Sequence, residues 1–302
     1  MNFFTVTTTS LLVLTLLSIV TSLLALTWLV FPRVDNRWQK WVQILLPVIA
    51  LGNAGVFVYR WLVIHHSWQP LESHVDGLVL ISVLVATMLT FLQSRRRLES
   101  ISAFVMPILT MMMVWAICAS SWTYQVFTMD SIWAAIHRLG VYLGSVFYLV
   151  AAGAGVMFLY VRRVLRNKKS PMLLGKLPSL EAIEKLIIQT ATLGFALITL
   201  GLITGVIYTT SRSTALGEHW WYSPKVILAT IAWLSYALVM NVSYAQTFRG
   251  NRAAWLSIVG LLFVLATFVA ALMGGHDHEE PPLIQPTDPG THQAQVHSQE
   301  AR

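Results

Sequence analysis

Charge is scarce in this chain and cysteine almost absent. Only 11% of the 302 residues are charged, while 56% are hydrophobic. A soluble globular protein carries about 25% charged residues, so this composition suits lipid as the surrounding solvent. The single cysteine, Cys118, excludes a disulfide framework and any C-x-x-C metal or redox site. It excludes C-x-x-C-H as well, so the chain has no covalent haem-attachment motif of its own. Lying in an apolar run, Cys118 reads as a small packing residue. Period-2 alternation of a barrel strand is missing, and no internal repeat is evident. The opening MNFFTVTTTS lacks the basic stretch of a signal peptide, so the first apolar run is expected to stay in the mature protein.

What the chain does have is long apolar runs. A spanning helix needs about 20 mainly apolar residues. Eight runs qualify: 10–31, 41–64, 77–94, 101–121, 134–161, 187–209, 224–246 and 254–274. Backbone in lipid must satisfy its own hydrogen bonds, so helices are the expected form. The fold class is therefore all-α, a polytopic membrane protein of eight transmembrane helices. The chain divides into that membrane domain, residues 1–275, and a tail, 276–302. The tail includes HDHEEPPLIQPTDPG, whose proline and acidic content predicts disorder. Its H-x-H pair is a weak metal signal without the rest of a ligand set.

The net charge of +7 does not point to nucleic acid, because the basic residues fall in short clusters between apolar runs. They instead set orientation. Arg33, Arg37 and Lys40, then Arg95 to Arg97, then Arg162, Arg163, Arg166, Lys168, Lys169, Lys176 and Lys185, then Arg249 and Arg252 occupy the first, third, fifth and seventh connections. Arg60, Arg138, Arg212, Lys225 and Arg302 occupy the alternate ones and the tail. The positive-inside rule then places both termini outside. In the fifth connection, Ser179 reads as an N-cap with Glu181 and Glu184 at the positive helix end. It is expected to open an inner-surface helix leading into the sixth span. The short connection between the third and fourth spans predicts an antiparallel hairpin.

All nine histidines fall at the outer ends of spans or beyond them: His65, His66, His74, His137, His219, His276, His278, His292 and His297. His292 and His297 lie in the polar tail and read as solvated. His65 and His66 read as interfacial, while His74 opens the third span beside Glu72 and Asp76. Neutral imidazole is the commonest metal ligand, and here imidazoles crowd one face. The outer connection at 211–225 ends in EHWWYSPK. Tryptophan and tyrosine at that depth anchor helices at the headgroup level. Pro224 suits the first turn of the seventh helix.

Read together, several stretches resemble the cytochrome c assembly family, the CcsA/ResC-type haem-handling membrane proteins, which include HemX-like members. SIWAAIHRLGVYLGSVFYLVAAGAGVMFLY resembles the family's helix with an outer histidine ahead of a long apolar span. LPSLEAIEKLIIQTATLGFALITLGLITGVIY resembles the lead into the signature loop, and HWWYSPKVILATIAWLSYA the tryptophan-rich loop itself. FRGNRAAWLSIVGLLFVLATFVAALMGGH resembles the final span, and QPLESHVDGLVLIS faintly resembles an earlier stretch.

That resemblance implies a haem platform. His137 and His276 would be axial ligands, with His278 a competitor for the second place. Trp220, Trp221 and Tyr222 would cover a face of the macrocycle beside His219, and Lys225 or Arg138 could pair with a propionate. The implied cofactor is haem b, non-covalent and transient. The implied partners are a ResB-like subunit, apocytochrome c and membrane lipid, with no nucleic acid. The implied location is a bacterial inner membrane, with the loop on the periplasmic or outer face. The implied function is to hold haem for attachment to apocytochrome c, as a possible subunit of a cytochrome c haem lyase.

Four positions depart from the family's W-x-W-D-P-K-E and the helix after it. Tyr222 stands for a loop tryptophan, Ser223 for the aspartate, Val226 for the glutamate, and Asn241 for a membrane-embedded histidine. Ser223, Val226 and Asn241 favour the alternative of a non-catalytic HemX-like regulator or scaffold. A transporter of other solutes is disfavoured, because the spans carry almost no charged residues.

Overall fold

The computed structural model describes residues 3–31, 37–65, 71, 73–94, 96–120, 131–167, 176–211, 222–241 and 250–273. They form eight helices: α1 (Phe3–Val30), α2 (Arg37–Tyr59), α3 (His74–Ser94), α4 (Ser102–Ser120), α5 (Ile132–Arg166), α6 (Leu180–Ser211), α7 (Pro224–Asn241) and α8 (Asn251–Met273). There is no strand among the described residues. Seven of the eight helices are long and apolar enough to cross a membrane. α7 is the short one, with 18 residues, and positions 242–246 of its expected span lie outside the described residues. The chain is a multi-pass membrane protein of the all-α class.

The helix ends follow from local chemistry. Ser131 caps α5 by accepting from Trp133 N. Ser179 caps α6 as expected, its hydroxyl accepting from Ala182 N at 3.3 Å. Pro224 opens α7, with the Ser223 carbonyl accepting from Val226 and Ile227. Gly250 precedes α8 with φ +72°, a backbone position that a residue without Cβ adopts at little cost. α3 starts with a reciprocal cap: Val75 N donates to the Ser73 hydroxyl, and Ser73 N donates to the Asp76 carboxylate.

α5 is the axis of the bundle. It runs 35 residues, and its buried run Val150–Gly155 is mostly alanine and glycine. Small residues let helix backbones approach in the absence of a hydrophobic drive between helices in lipid. A Cβ added at Gly155 would stand 2.8 Å from the Ala254 carbonyl of α8, and one at Gly140 would stand 3.0 Å from the Leu197 carbonyl of α6. α5 and α6 make the most extensive pairing of the fold, antiparallel, as the rising order Gly140, Gly144 against the falling order Gly201, Gly194 requires. Between α5, α6, α7 and α8 the rings of Tyr148 and Tyr236 stack with centroids 3.3 Å apart. The Tyr236 hydroxyl donates to the carbonyls of Tyr148 and Ser257.

Three sequence expectations change in detail. The inner-surface helix and sixth span are one continuous helix of 32 residues, because no breaker separates Leu180 from the apolar run. α5 continues past 161 to carry Arg162, Arg163 and Arg166, all exposed. Cys118 is exposed on α4, off the buried positions Met112, Met113 and Ala116, and so is not a packing residue. The expected hairpin of α3 and α4 is present, the two joined by a tight 3-10 turn at Arg96–Ile101.

Candidate functional site

His137 lies in the second turn of α5, partly buried and turned against α6. Its Nδ1 is 2.6 Å from the carbonyl oxygen of Gly201. A carbonyl only accepts, so Nδ1 carries the proton and donates it. Nε2 is then the unprotonated nitrogen, and it has no hydrogen-bond partner among the described residues. With one ring nitrogen fixed by a backbone carbonyl, the other keeps a lone pair that a metal could take.

The surroundings come from five helices. Arg138, the next residue, donates from Nη1 to the Leu71 carbonyl at 2.7 Å, tying α5 to the segment before α3. Arg60, at the start of a π-helical turn that extends α2, donates to Asp76 of α3 at 2.5 Å. Asp76 is 1% exposed, so this carboxylate is buried and paired. One turn deeper on α5, the Tyr142 ring rests against Gly77 of α3, where a Cβ would overlap it, and stacks on Phe268 of α8 at 6.1 Å between centroids.

That last contact sets the height of α8. His137 and Met273 each lie five residues toward the same end from the stacked pair, about 7.5 Å at 1.5 Å per residue. The end of α8 is therefore level with His137, and the chain leaves it three residues before His276. α7 is placed the same way. Trp233 donates from Nε1 to the Thr199 hydroxyl at 2.9 Å and stacks on Phe195 of α6. Pro224 lies about 13.5 Å toward the loop end from Trp233, and Gly205 about 9 Å from Thr199. The first turn of α7 thus stands just beyond the level of His137.

Tyr222 is 61% exposed at that mouth, and Lys225 lies in the first turn of α7. The Ser223 hydroxyl is buried with no hydrogen-bond partner among the described residues. His219, Trp220, Trp221, His276 and His278 lie outside the described residues, as do His66, His292, His297 and the tail expected to be disordered. His65 closes the π-helical turn after α2, and His74 is the first residue of α3. Among the described residues no group of three His, Cys, Asp or Glu side chains could hold a bare metal ion.

The donor set fits a group that brings most of its own ligands. A porphyrin supplies four nitrogens to its iron and asks the protein for axial ligands and an apolar wall. One imidazole with an available Nε2, level with the start of α7 and the end of α8, meets the first of those needs.

Sequence reading missed two features here. The Gly201–Gly205 notch is readable as G-x-x-x-G in GLITG, a helix-packing signal. The Arg60–Asp76 pair has no signal, since nothing in the sequence says which charges meet. Asn241, one of the departures noted in the sequence, is the last described residue of α7. It is exposed, and its Nδ2 donates back to the Ala237 carbonyl at 2.8 Å.

Comparison with known proteins adds a second line. The model of the family described as cytochrome C assembly protein matches residues 68–277, which takes in His74, His137, the 211–225 connection and His276 but leaves out α1 and α2. The protein is similar to the cytochrome c biogenesis protein CcsA of Synechococcus sp. (strain RCC307), 30% identical over 95 residues, or 32% of this chain and 30% of that one. Similarity to CcsA of Prochlorococcus marinus (strain MIT 9303) is 30% over 95 residues, or 32% of this chain and 29% of that one. The matched part is thus less than a third of these curated relatives' length. No solved structure matches.

Proposed function

Given that this chain belongs to the cytochrome c assembly protein family, we propose that it is a haem-binding membrane subunit of cytochrome c maturation. It holds haem b, non-covalently and transiently, at the end of the bundle where His137 lies. In this reading that end faces the outside of a bacterial cytoplasmic membrane, and both termini lie on the same side. The observation that carries the proposal is His137 itself, with Nδ1 committed to Gly201 and Nε2 without a partner among the described residues. His276, three residues beyond the end of α8 in the sequence, is the proposed second ligand, with His278 its competitor.

Trp220, Trp221 and Tyr222 supply the apolar wall, with His219 beside them. Lys225 or Arg138 meets a propionate. When bound, haem supplies the iron and the vinyl groups that the thiols of an apocytochrome c add to. The protein contributes binding and orientation, together with a ResB-like partner subunit.

Purified protein is expected to show a Soret band of bis-histidine character. Replacing His137 with alanine should diminish it, and imidazole should restore it in His137→Gly. An unchanged spectrum in His137→Ala removes His137 as a ligand, and a wild-type protein that takes up no haem removes the proposal.

One observation favours a second reading, that of a HemX-like regulator or scaffold. Asn241 is exposed and bonded within its own helix, so this position offers no ligand in the membrane interior. Deleting the gene separates the two. Loss of covalent haem from c-type cytochromes supports assembly. Normal cytochromes with altered tetrapyrrole levels support regulation.

A further inference from the structure

Building on the haem reading above, we propose that Gly201 and Gly205 are positioning residues that fix which nitrogen of His137 reaches iron. The Gly201 carbonyl takes the Nδ1 proton, and the missing side chain at 205 gives the ring its seat.

The glycines along the α5–α6 seam do different jobs. At Gly140, an added Cβ would press on the Leu197 carbonyl and the Gly201 backbone. At Gly194 it would press on the Tyr148 ring and Phe147. These positions bring the helices together. Gly205 differs, because the three atoms nearest its absent Cβ all belong to His137: Nδ1 at 2.7 Å, Cε1 at 2.9 Å and Cγ at 3.5 Å. A side chain there could not be accommodated without moving the imidazole off the Gly201 carbonyl. Glycine in a helix interior costs stability relative to alanine, so its presence at 205 calls for a local reason, and the ring supplies it.

The Gly201 carbonyl has another donor. The Thr204 hydroxyl, on a buried side chain, reaches it at 3.1 Å while also donating to the Leu200 carbonyl at 2.8 Å. Beyond its helical bond, the same oxygen therefore divides its remaining acceptor strength between Thr204 and His137. A ligating imidazole that donates its other N–H strongly is a better electron donor to iron, which favours the oxidised metal. Thr204 thus weakens the pull on the imidazole and tunes it from one turn away.

The test has one arm without haem and one with it. In apo protein labelled with 15N-histidine, NMR should find His137 in the Nδ1-protonated tautomer. An Nε2-protonated His137 overturns the proposal whatever the haem result. In haem-loaded protein, Gly205→Ala should raise the midpoint potential and alter the low-spin absorption bands. Thr204→Val, which keeps the shape and removes the competing donor, should lower the potential. Gly194→Ala tests mere loosening of the same seam and should leave the potential where it was. If Gly205→Ala and Gly194→Ala move the potential alike, or Thr204→Val moves it upward, the positioning role is wrong. If wild-type protein binds no haem, the haem reading fails, while the apo tautomer still decides whether Gly201 and Gly205 orient the ring.

Discussion

Arg60 and Asp76 meet across α2 and α3 with Nε 2.5 Å from Oδ1, and the carboxylate is almost wholly shielded at 1% exposure. The pair joins a helix outside the family match to one inside it. Asp76 also accepts from the backbone of Ser73, so one carboxylate closes both the ion pair and the start of α3.

Breaking that pair from one side should be costly. Asp76→Ala leaves a partly buried guanidinium unpaired and uncaps α3, with an expected loss of about 3 kcal/mol. The double variant Arg60→Met, Asp76→Leu removes both charges and should recover a large part of it. Denaturant unfolding of all three proteins in one detergent checks this. A double variant no more stable than the single one argues against the uncompensated charge as the cause.

The stacked tyrosines predict a second, smaller effect. Tyr236→Phe removes a hydroxyl that donates to carbonyls on α5 and α8. Such bonds between membrane helices are worth roughly 0.6–1.7 kcal/mol. Gly260→Ala places a Cβ 2.5 Å from the Tyr236 ring and should cost about 1–3 kcal/mol by overpacking. Thermal midpoints should rank wild type above Tyr236→Phe, with Gly260→Ala at or below it. Gly55, which has nothing within 4 Å of its absent Cβ, should tolerate alanine.

Lys176 gives a pH dependence. Its amine donates to the Trp28 carbonyl at 3.0 Å and sits 4.8 Å over the Trp28 ring, tying the connection after α5 to the end of α1. Burial holds its pKa below the ordinary 10.5. The folded chain therefore binds fewer protons than the unfolded one as pH passes from the lowered value to 10.5. Stability should rise with pH across that window. Solvent reaches much of this side chain, so the effect is small. The thermal midpoint of wild type minus that of Lys176→Gln should increase as pH is raised toward 10.5, and a flat difference would count against it.

Much of the architecture was legible because lipid is a strict solvent. Every one of the eight apolar runs contains a helix, and Ser179 and Pro224 start helices where their capping chemistry says they should. Cys118 departs from the expected packing role because an apolar run does not tell which of its faces meets lipid and which meets protein. The helix at Leu180 runs on into the span because a capped surface helix and a span look alike in sequence when no proline or glycine separates them.

The candidate site was legible only in part. His137 stands out by its place ahead of a span and by resemblance. Its partner does not, since Gly201 lies 64 residues on and contributes only a carbonyl that every residue has.

By itself the sequence determined that the chain crosses a membrane repeatedly as helices, because apolar runs of that length leave the backbone no other way to satisfy its hydrogen bonds. Tertiary structure alone decided that Nδ1 of His137 faces Gly201 and that Arg60 neutralises Asp76. Both depend on which helices lie side by side and at what height, and that comes from close packing over small residues at many positions at once.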